Sequence, residues 1–173
     1  DGSIKVDGQT VIGPGADRGM VFQNYTLYPW MTVQKNVEFG LKLQGVDKKA
    51  RREEASYYLD MVGLAQFAQS LPKQLSGGMK QRVAIARALT SQPKILLMDE
   101  PFGALDVQTK ENMQQFLLEL WARTSTSILM ITHDVREAVF LSQRIYVMTA
   151  RPGTVRAEVM VDLGRDRNTA TRE

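Results

Sequence analysis

The sequence predicts an α/β fold whose central sheet is mainly parallel. Two segments, at 94–98 and 127–132, have the length and composition of strands that are covered on both faces. The first is continuously apolar after Lys94, and the second is apolar between Ser127 and Thr132. Between them lies a helical pattern in which apolar side chains recur every three or four residues. These positions are Met113, Phe116, Leu117, Leu120 and Trp121. Strands that alternate with amphipathic helices are typical of parallel sheets.

The front of the chain predicts a short β region. Residues 3–8 alternate between polar and apolar side chains and end at the turn signal Asp7-Gly8, as a strand entering a hairpin does. After a glycine-rich break, another short strand is expected over 19–23. We therefore expect residues 1–31 to form the end of an N-terminal β region and the loop that follows it.

The pattern becomes helical from Thr32 to about Pro72, which predicts an inserted helical subdomain. Ser76 is a suitable N-cap for a further helix that runs to about Leu89. We expect 32–89 to contain the subdomain and this last helix. One helical face of the subdomain is apolar at i, i+3, i+4 and i+7, formed by Ala55, Tyr58, Leu59 and Val62.

The second half of the chain predicts the α/β core. A short helix over 134–141 leads into a strand over 144–148, and a Pro-Gly turn then leads into a strand over 154–161. We expect residues 90–161 to form this core. Residues 162–173, rich in Arg, Asp and Thr, are expected to form a flexible tail.

Composition excludes several classes of protein. The 173 residues contain no cysteine, so disulfides and thiolate metal sites are excluded. No apolar run approaches the roughly 20 residues of a membrane span. The net charge of +3 is not gathered into long runs, which gives little support to nucleic-acid binding. The densest basic cluster, 48–52, is followed at once by Glu53 and Glu54, which is typical of a solvated helix face.

Two segments carry the strongest signal in the sequence. Residues 75–89 read Leu-Ser-Gly-Gly-Met-Lys-Gln-Arg-Val-Ala-Ile-Ala-Arg-Ala-Leu, and residues 95–101 read Ile-Leu-Leu-Met-Asp-Glu-Pro. They resemble the signature motif and the Walker B strand of an ATP-binding-cassette (ABC) ATPase. The resemblance implies a P-loop NTPase-like ABC sandwich, with a RecA-like core and an inserted helical subdomain. It implies ATP and Mg²⁺ as the nucleotide and its metal.

One motif of that family is not found in these residues. The sequence contains no Gly-x-x-x-x-Gly-Lys-[Ser/Thr] loop, whose backbone amides and lysine hold nucleotide phosphates. Relative to the family we therefore expect the chain to be truncated at its N-terminus, ahead of the segment Gly2 to Gly8. We also expect these 173 residues to be inactive as an ATPase on their own.

Two adjacent carboxylates follow the predicted buried strand. The resemblance implies that Asp99 is the Walker B aspartate, which holds Mg²⁺, and that Glu100 polarises the attacking water. Phosphoryl transfer to water needs such a metal holder and water-orienting base. The alternative is a structural pair that caps the following helix. The segment 101–106, Pro-Phe-Gly-Ala-Leu-Asp, strengthens the match to the family.

His133 is the only histidine and follows the next predicted strand. A lone histidine can be a structural residue, but this one lies where the family carries its switch histidine. The carboxyl ends of parallel strands are where open α/β sheets bind ligands. The resemblance implies that His133 contacts the γ-phosphate. It likewise implies that Gln23 is the glutamine that links Mg²⁺ and water to the helical subdomain.

The start of the helix at Ser76, Gly77 and Gly78 is a candidate anion site, because its free amides and helix dipole attract negative charge. The alternative is a flexible junction between loop and helix. The family resemblance implies that this helix end, with Gln81, contacts ATP bound to a second subunit in a head-to-tail dimer. Asp106 belongs to the loop that crosses the same interface.

Several large side chains crowd the predicted loop after Gln23. They either pack under the helical subdomain or form a patch on which a membrane permease docks. The residues are Tyr25, Leu27, Tyr28 and Trp30.

The sequences of several segments are similar to those of the ATPase subunits of bacterial nitrate, sulfonate, taurine and bicarbonate importers. These segments are 22–25, 27–30, 99–106 and 150–153. The resemblance implies permease subunits, a periplasmic or lipid-anchored solute-binding protein, and a place at the cytoplasmic face of the inner membrane.

Two other functions stay open from the sequence. The first is a non-transport ATPase of the same fold that binds nucleic acid. The 52 positions between Gln23 and Leu75 leave no room for the long coiled coil of the chromosome-maintenance relatives. The second is a non-catalytic interaction module.

Overall fold

The computed structural model describes residues 2–124, 126–164 and Arg167. Within these residues the front of the chain forms strands β1 (Lys5–Val6) and β2 (Gln9–Thr10), which pair as an antiparallel hairpin, followed by β3 (Arg18–Val21). The predicted hairpin and the next short strand are both present.

Three helices follow. They are α1 (Val33–Leu43), α2 (Lys48–Met61) and α3 (Gly77–Leu89), and two short 3₁₀ turns at 65–67 and 72–74 join α2 to α3. Each helix begins at a side-chain cap, from Thr32, Asp47 and Ser76.

Glycines end the first two helices. Gly45 follows α1 with φ +76° and Gly63 follows α2 with φ +71°, both in the left-handed region that favours glycine. The helical segment expected between Thr32 and Leu89 is therefore confirmed, and both of its internal breaks have a local chemical cause.

The second half of the chain contains β4 (Ile95–Asp99), α4 (Val107–Arg123), β5 (Ser127–Ile131) and α5 (Val135–Leu141). Two further strands, β6 (Arg144–Met148) and β7 (Val155–Met160), pair as an antiparallel hairpin. Every element that the sequence predicted in this half is present, within one or two residues of the expected bounds.

The central sheet has the order β3-β4-β5, and both pairs of strands are parallel. This confirms the predicted α/β class with a parallel core. Among the described residues the hairpins form separate two-stranded sheets.

One detail of the strand prediction is wrong. The apolar runs predicted strands covered on both faces, yet β5 presents Leu129 and Ile131 to solvent at 58% and 61% exposure. In register with them, Met20 on β3 is also exposed. Helix α3 packs beside β3 on one face only, so the apolar side chains of the other face have no cover among the described residues.

The core centres on α3. Its residues 83–86 are at most 1% exposed, and the helix lies against α1, α2 and β3. The approach to β3 is close: a Cβ on Gly19 would lie 3.0 Å from Leu96 Cδ1 and 3.2 Å from the Ala88 carbonyl oxygen. The apolar face predicted for α2 is buried here as expected, at Ala55, Tyr58, Leu59 and Val62.

The end of the chain is described only in part. Most of the predicted tail, 162–173, lies outside the described residues. Within it, Arg167 is buried and donates hydrogen bonds to the carbonyl oxygens of Phe140 at 2.9 Å and Ser142 at 2.7 Å. No helix in the described part of the chain is long and apolar enough to cross a bilayer.

Asn36 fixes the loop that leads into α1. Its side chain is fully buried; Oδ1 accepts a hydrogen bond from the Tyr28 amide at 2.8 Å, and Nδ2 lies 3.1 Å from the carbonyl oxygens of Tyr28, Met31 and Thr32. One side chain thus satisfies an amide and three carbonyl groups that solvent cannot reach easily.

The Tyr28 and Thr32 carbonyls also accept hydrogen bonds from the Met31 and Asn36 amides. We predict that Asn36→Leu lowers the free energy of unfolding by about 2–4 kcal/mol, because it leaves the Tyr28 amide and the Met31 carbonyl unpaired. Asn24→Leu is the matched control, since Asn24 is an exposed residue of the same loop. Its cost should stay within about 0.5 kcal/mol. Denaturant titration measures both, and equal costs for the two variants would contradict the assignment.

Candidate functional site

The parallel register brings three strand ends to one edge of the sheet. Val21 of β3 lies beside Met98 of β4, and Asp99 lies beside Ile131 of β5. The residues that follow each strand must therefore be neighbours. Gln23, Glu100 and His133 all occupy such positions, as the sequence predicted.

Glu100 and His133 are in direct contact. His133 Nδ1 lies 3.1 Å from Glu100 Oε1, and the Glu100 amide donates a hydrogen bond of 2.9 Å to the Ile131 carbonyl. The Glu100 side chain is 32% exposed and the imidazole is 78% exposed. The backbone of Glu100 is therefore fixed to β5, while the His133 imidazole is largely open to solvent.

The backbone of Glu100 is strained. Its φ is +43°, in the left-handed region, which costs a residue with a side chain roughly 1–2 kcal/mol. The Gly103 amide donates a hydrogen bond to the Glu100 carbonyl at 3.1 Å and closes a tight turn. Strain that the surroundings maintain in this way is common at functional sites.

Gln23 completes the cluster. Its amide lies against Gly103, where a Cβ would be 2.8 Å from Gln23 Nε2 and 3.5 Å from the Glu100 carbonyl oxygen. Any larger residue at 103 would displace the Gln23 side chain. Asp99 ends β4 beside Glu100 and is half-buried.

The first residues of α3 pack closely against Tyr25 and Thr109. Ser76 Oγ accepts a hydrogen bond from the Met79 amide at 3.3 Å. A Cβ on Gly77 would lie 3.1 Å from Tyr25 Oη, and one on Gly78 would lie 2.7 Å from Thr109 Cγ2. Both glycines therefore have a packing role inside the chain, beside any role toward a ligand.

Two other predicted site residues lie apart from this cluster. Asp106 is exposed and caps α4, with Oδ1 3.0 Å from the Thr109 amide. Gln81 is fully buried, and its amide atoms have no hydrogen-bond partner among the described residues. The contact of Gln81 with a partner's ATP stays a prediction.

A polar network that the sequence did not predict joins α4 to Asp134 and to α5. Lys110 Nζ lies 3.1 Å from Asp134 Oδ2 and 3.6 Å from Glu137 Oε1, and Gln114 Nε2 donates a hydrogen bond of 3.1 Å to the same Glu137 oxygen. Glu137 is buried. Nothing local in the sequence shows that α4 and α5 are neighbours, so the pairing had no sequence signal.

The network shifts the ionisation of its members. Burial raises the pKa of Asp134, but hydrogen bonds from Lys110 and from the Glu137 and Arg136 amides outweigh it, and the net pKa is lowered. Burial lowers the pKa of Lys110, but the hydrogen bond to Asp134 and the charge of Glu137 outweigh it, so its pKa is raised. Both groups are thus held in their charged forms, and Asp134 is one residue after His133.

Comparison with known proteins identifies the family. Residues 1–103 match the family described as ABC transporter. The chain belongs to the ABC transporter family. It is 65% identical over 168 residues to a nitrate import ATP-binding protein, NrtD, of a Synechocystis species, which covers 97% of this chain and 63% of that protein.

A second import ATP-binding protein and a solved structure are also similar to this chain. The taurine import ATP-binding protein TauB of Rhizobium johnstonii is 51% identical over 165 residues, which are 95% of this chain and 63% of that protein. A dimeric post-hydrolysis structure of the ATP-binding cassette MJ0796, bound to ADP and Pi, superposes with a TM-score of 0.75 at 34% identity. The superposition covers 93% of this chain and 74% of that one.

These comparisons confirm the fold and support one branch of the family. The match to MJ0796 confirms the predicted ABC ATPase fold. The nitrate and taurine relatives support the importer branch that the sequence resembled. The chain spans slightly less than two thirds of the length of NrtD and TauB.

The ion pair between Lys110 and Asp134 gives a prediction with a defined pH window. The lowered pKa of Asp134 contributes stability above its ordinary value of 3.8, and this stability is lost as the pH falls through the folded value. We predict that a double-mutant cycle of Asp134→Asn and Lys110→Met gives a coupling of about 0.5–1 kcal/mol at pH 7.

The coupling should fall as the pH is lowered from 3.8 through the folded pKa of Asp134, because the carboxyl group is then protonated in both states. Asn retains the helix cap, so the cycle isolates the charge. Denaturant titration at several pH values from 7 downward measures the coupling. A coupling that stays constant while Asp134 becomes protonated would show that the two side chains interact by packing instead.

Proposed function

We propose that the protein containing this chain is the ATP-hydrolysing subunit of an ABC importer. The observation that carries the proposal is the meeting of Gln23, Glu100 and His133 at the carboxyl ends of three parallel strands. Ligands bind at this edge in open α/β sheets. The membership of the chain in the ABC transporter family supports the same conclusion.

In this proposal Glu100 is the catalytic carboxylate. Its carboxylate takes a proton from a water molecule, whose oxygen attacks the γ-phosphorus. The bond from that phosphorus to the β,γ-bridging oxygen breaks, the electron pair leaves with ADP, and the proton passes from Glu100 to the released phosphate. The turn between Glu100 and Gly103 fixes the direction of the carboxylate. Such positioning supplies most of what phosphoryl transfer requires of the protein.

His133 has two ring nitrogens with different surroundings. Nδ1 faces Glu100, and Nε2 has no hydrogen-bond partner among the residues that the structure describes. We assign Nε2 to the γ-phosphate. Because Nδ1 already donates to the Glu100 carboxylate, this contact uses the imidazolium form, in which both ring nitrogens carry hydrogen and the positive charge offsets developing negative charge. The contact between His133 and Glu100 would keep the water-binding carboxylate beside the phosphate-binding imidazole.

Asp99 and Gln23 fit a magnesium site. A carboxylate oxygen and an amide oxygen at the ends of adjacent strands are hard donors of the kind that Mg²⁺ prefers, and Mg²⁺ is commonly held by one or two protein groups together with substrate phosphates. When bound, the ion neutralises phosphate charge. Asp99 and Gln23 would orient it from the strand ends.

The signature segment is proposed to act on a second subunit. Ser76 is exposed at the start of α3, where the helix dipole and free amides favour an anion. Asp106 is also exposed, at the start of α4. A head-to-tail dimer would place these residues against the partner's nucleotide. The dimeric state of the solved MJ0796 structure supports this arrangement.

The solute and partners follow from the relatives. NrtD is named for nitrate import and TauB for taurine import, so we propose a small anion such as nitrate, a sulfonate or taurine. The subunit would bind membrane permease subunits at the cytoplasmic face of the inner membrane, and a periplasmic or lipid-anchored protein would deliver the solute. Nucleic acid is not among the proposed partners, since the charge of +3 forms no basic stripe.

The main test is Glu100→Gln in the complete subunit, by which we mean a protein that carries these residues together with a phosphate loop. We predict that turnover falls on the order of 100-fold or more, because a positioned base is lost, while MgATP binding is retained. Steady-state hydrolysis and calorimetric titration measure the two quantities. Undiminished hydrolysis would remove Glu100 from this role.

The 173 residues alone provide a control for the same assays. They contain no Gly-x-x-x-x-Gly-Lys motif to cradle a triphosphate, so we propose that they neither bind MgATP tightly nor hydrolyse it. Micromolar binding with turnover by these residues would mean that phosphate is held by groups other than such a loop.

The aromatic loop after Gln23 divides into two parts. Leu27 packs against the core, and the Tyr28 ring lies 4.6 Å from Phe39, so these side chains support the helical subdomain. Trp30 is 72% exposed, with its ring 5.8 Å from Tyr28. Trp30 is therefore the part of the loop that is available to a permease.

We predict that Trp30→Ser in the complete subunit weakens permease assembly or uncouples transport while basal hydrolysis is kept. Tyr57→Ser is the matched control, because Tyr57 is a 60% exposed aromatic on α2, outside this loop. Solute uptake by reconstituted transporter distinguishes them. Normal uptake with Trp30→Ser, or an equal defect with Tyr57→Ser, would count against the docking role.

A further inference from the structure

Arg87, in the last turn of α3, holds the loop that follows Gln23. Its Nη1 donates to the Thr26 carbonyl at 2.7 Å, and Nη2 donates to Thr26 Oγ1 at 2.8 Å and to the Tyr25 carbonyl at 3.3 Å. Its guanidinium also lies 5.8 Å from the centre of the Tyr28 ring. One side chain thus binds three acceptors on two consecutive loop residues.

These two loop residues have unfavourable backbones. The φ angles are +57° at Tyr25 and +47° at Thr26, and neither residue tolerates the left-handed region well. For the β-branched Thr26 this conformation is a marked outlier. Such angles persist only where surrounding contacts impose them. Within the loop, the Tyr25 amide donates to the Phe22 carbonyl and the Thr26 amide to the Asn24 carbonyl. From outside the loop, Arg87 adds three hydrogen bonds that all end on Tyr25 and Thr26.

The charge on Arg87 has no carboxylate partner within the described residues. Burial lowers the pKa of the guanidinium, which shows that it gives up hydration to reach the loop. Its hydrogen bonds to the loop are therefore the compensation for that lost hydration. They are charge-assisted, a class about twice as strong as neutral hydrogen bonds.

The same loop also touches the other end of α3. A Cβ on Gly77 would lie 3.1 Å from Tyr25 Oη, so the tyrosine hydroxyl rests on the first residue of the helix. Arg87 is ten positions further along, about 15 Å by helix rise. The loop is thus attached near both ends of α3, and Gln23 lies two residues before the attached segment.

We propose that Arg87 is a positioning residue that couples α3 to Gln23. Without its hydrogen bonds, Tyr25 and Thr26 relax out of the left-handed region, and the Gln23 amide leaves its place against Gly103. A displacement of α3 would move Gln23 through the same contacts. The inference rests on the proposed function for its consequence in catalysis, because Gln23 is there assigned to the metal.

The test compares Arg87→Met with Arg82→Met in the complete, assembled transporter. Arg82 is the matched control: it lies on the same helix, donates to the Val62 carbonyl at 3.3 Å and lies 4.6 Å from the Phe116 ring centre, but it makes no contact with the loop. Hydrogen exchange of residues 23–28 and the Mg²⁺ dependence of hydrolysis are measured for both variants.

Arg87→Met should speed exchange in 23–28 by about tenfold and raise the Mg²⁺ concentration for half-maximal hydrolysis several-fold, since charge-assisted hydrogen bonds to the loop are lost. Arg82→Met should change neither. Arg87→Lys should not restore the wild-type values, because an ammonium cannot span three acceptors in the same geometry.

Unchanged exchange and unchanged Mg²⁺ dependence in Arg87→Met would overturn the proposal, whatever the change in melting temperature. Equal changes in the Arg82 and Arg87 variants would also overturn it, since both would then act only on helix stability. If the wild-type transporter hydrolyses no ATP, the proposed function fails, and the exchange comparison alone decides the role of Arg87.

Discussion

The parallel register of β3, β4 and β5 is the constraint on which the candidate site depends. Because Val21 pairs with Met98 and Asp99 pairs with Ile131, three separate loops start at the same edge of the sheet. Slipping one strand by a single residue would reverse which side chains face the core. It would also separate Glu100 from His133. The register is set by burial, since Val21, Leu96 and Met98 are all at most 1% exposed.

Helix α3 connects this sheet to the rest of the molecule. Its middle is buried against β3, α1 and α2, its start touches Tyr25, and its last turn holds Thr26 through Arg87. The candidate anion site at Ser76 and the loop of Gln23 therefore share one rigid element. If the proposed function holds, a change at a partner's nucleotide that is sensed at the start of α3 would reach Gln23 through this element.

The sequence predicted those features that have local causes. Ser76 caps α3 because its side-chain oxygen reaches an amide only three residues away. Contacts such as Arg87 to Thr26, 61 positions apart, depend on how elements pack and left no sequence signal. The apolar composition of β5 also could not show that Leu129 and Ile131 face solvent. Composition gives the type of each residue, but whether a side chain is buried depends on which elements pack against it.

The most direct measurement is a crystal structure of the complete subunit with a non-hydrolysable ATP analogue and Mn²⁺ in place of Mg²⁺. Anomalous scattering would locate the metal independently of the refined protein. We expect Mn²⁺ next to Asp99 and Gln23, with the γ-phosphate within hydrogen-bond distance of His133 and the Glu100 carboxylate facing it. A metal and a γ-phosphate bound away from the carboxyl ends of β3, β4 and β5 would contradict the account.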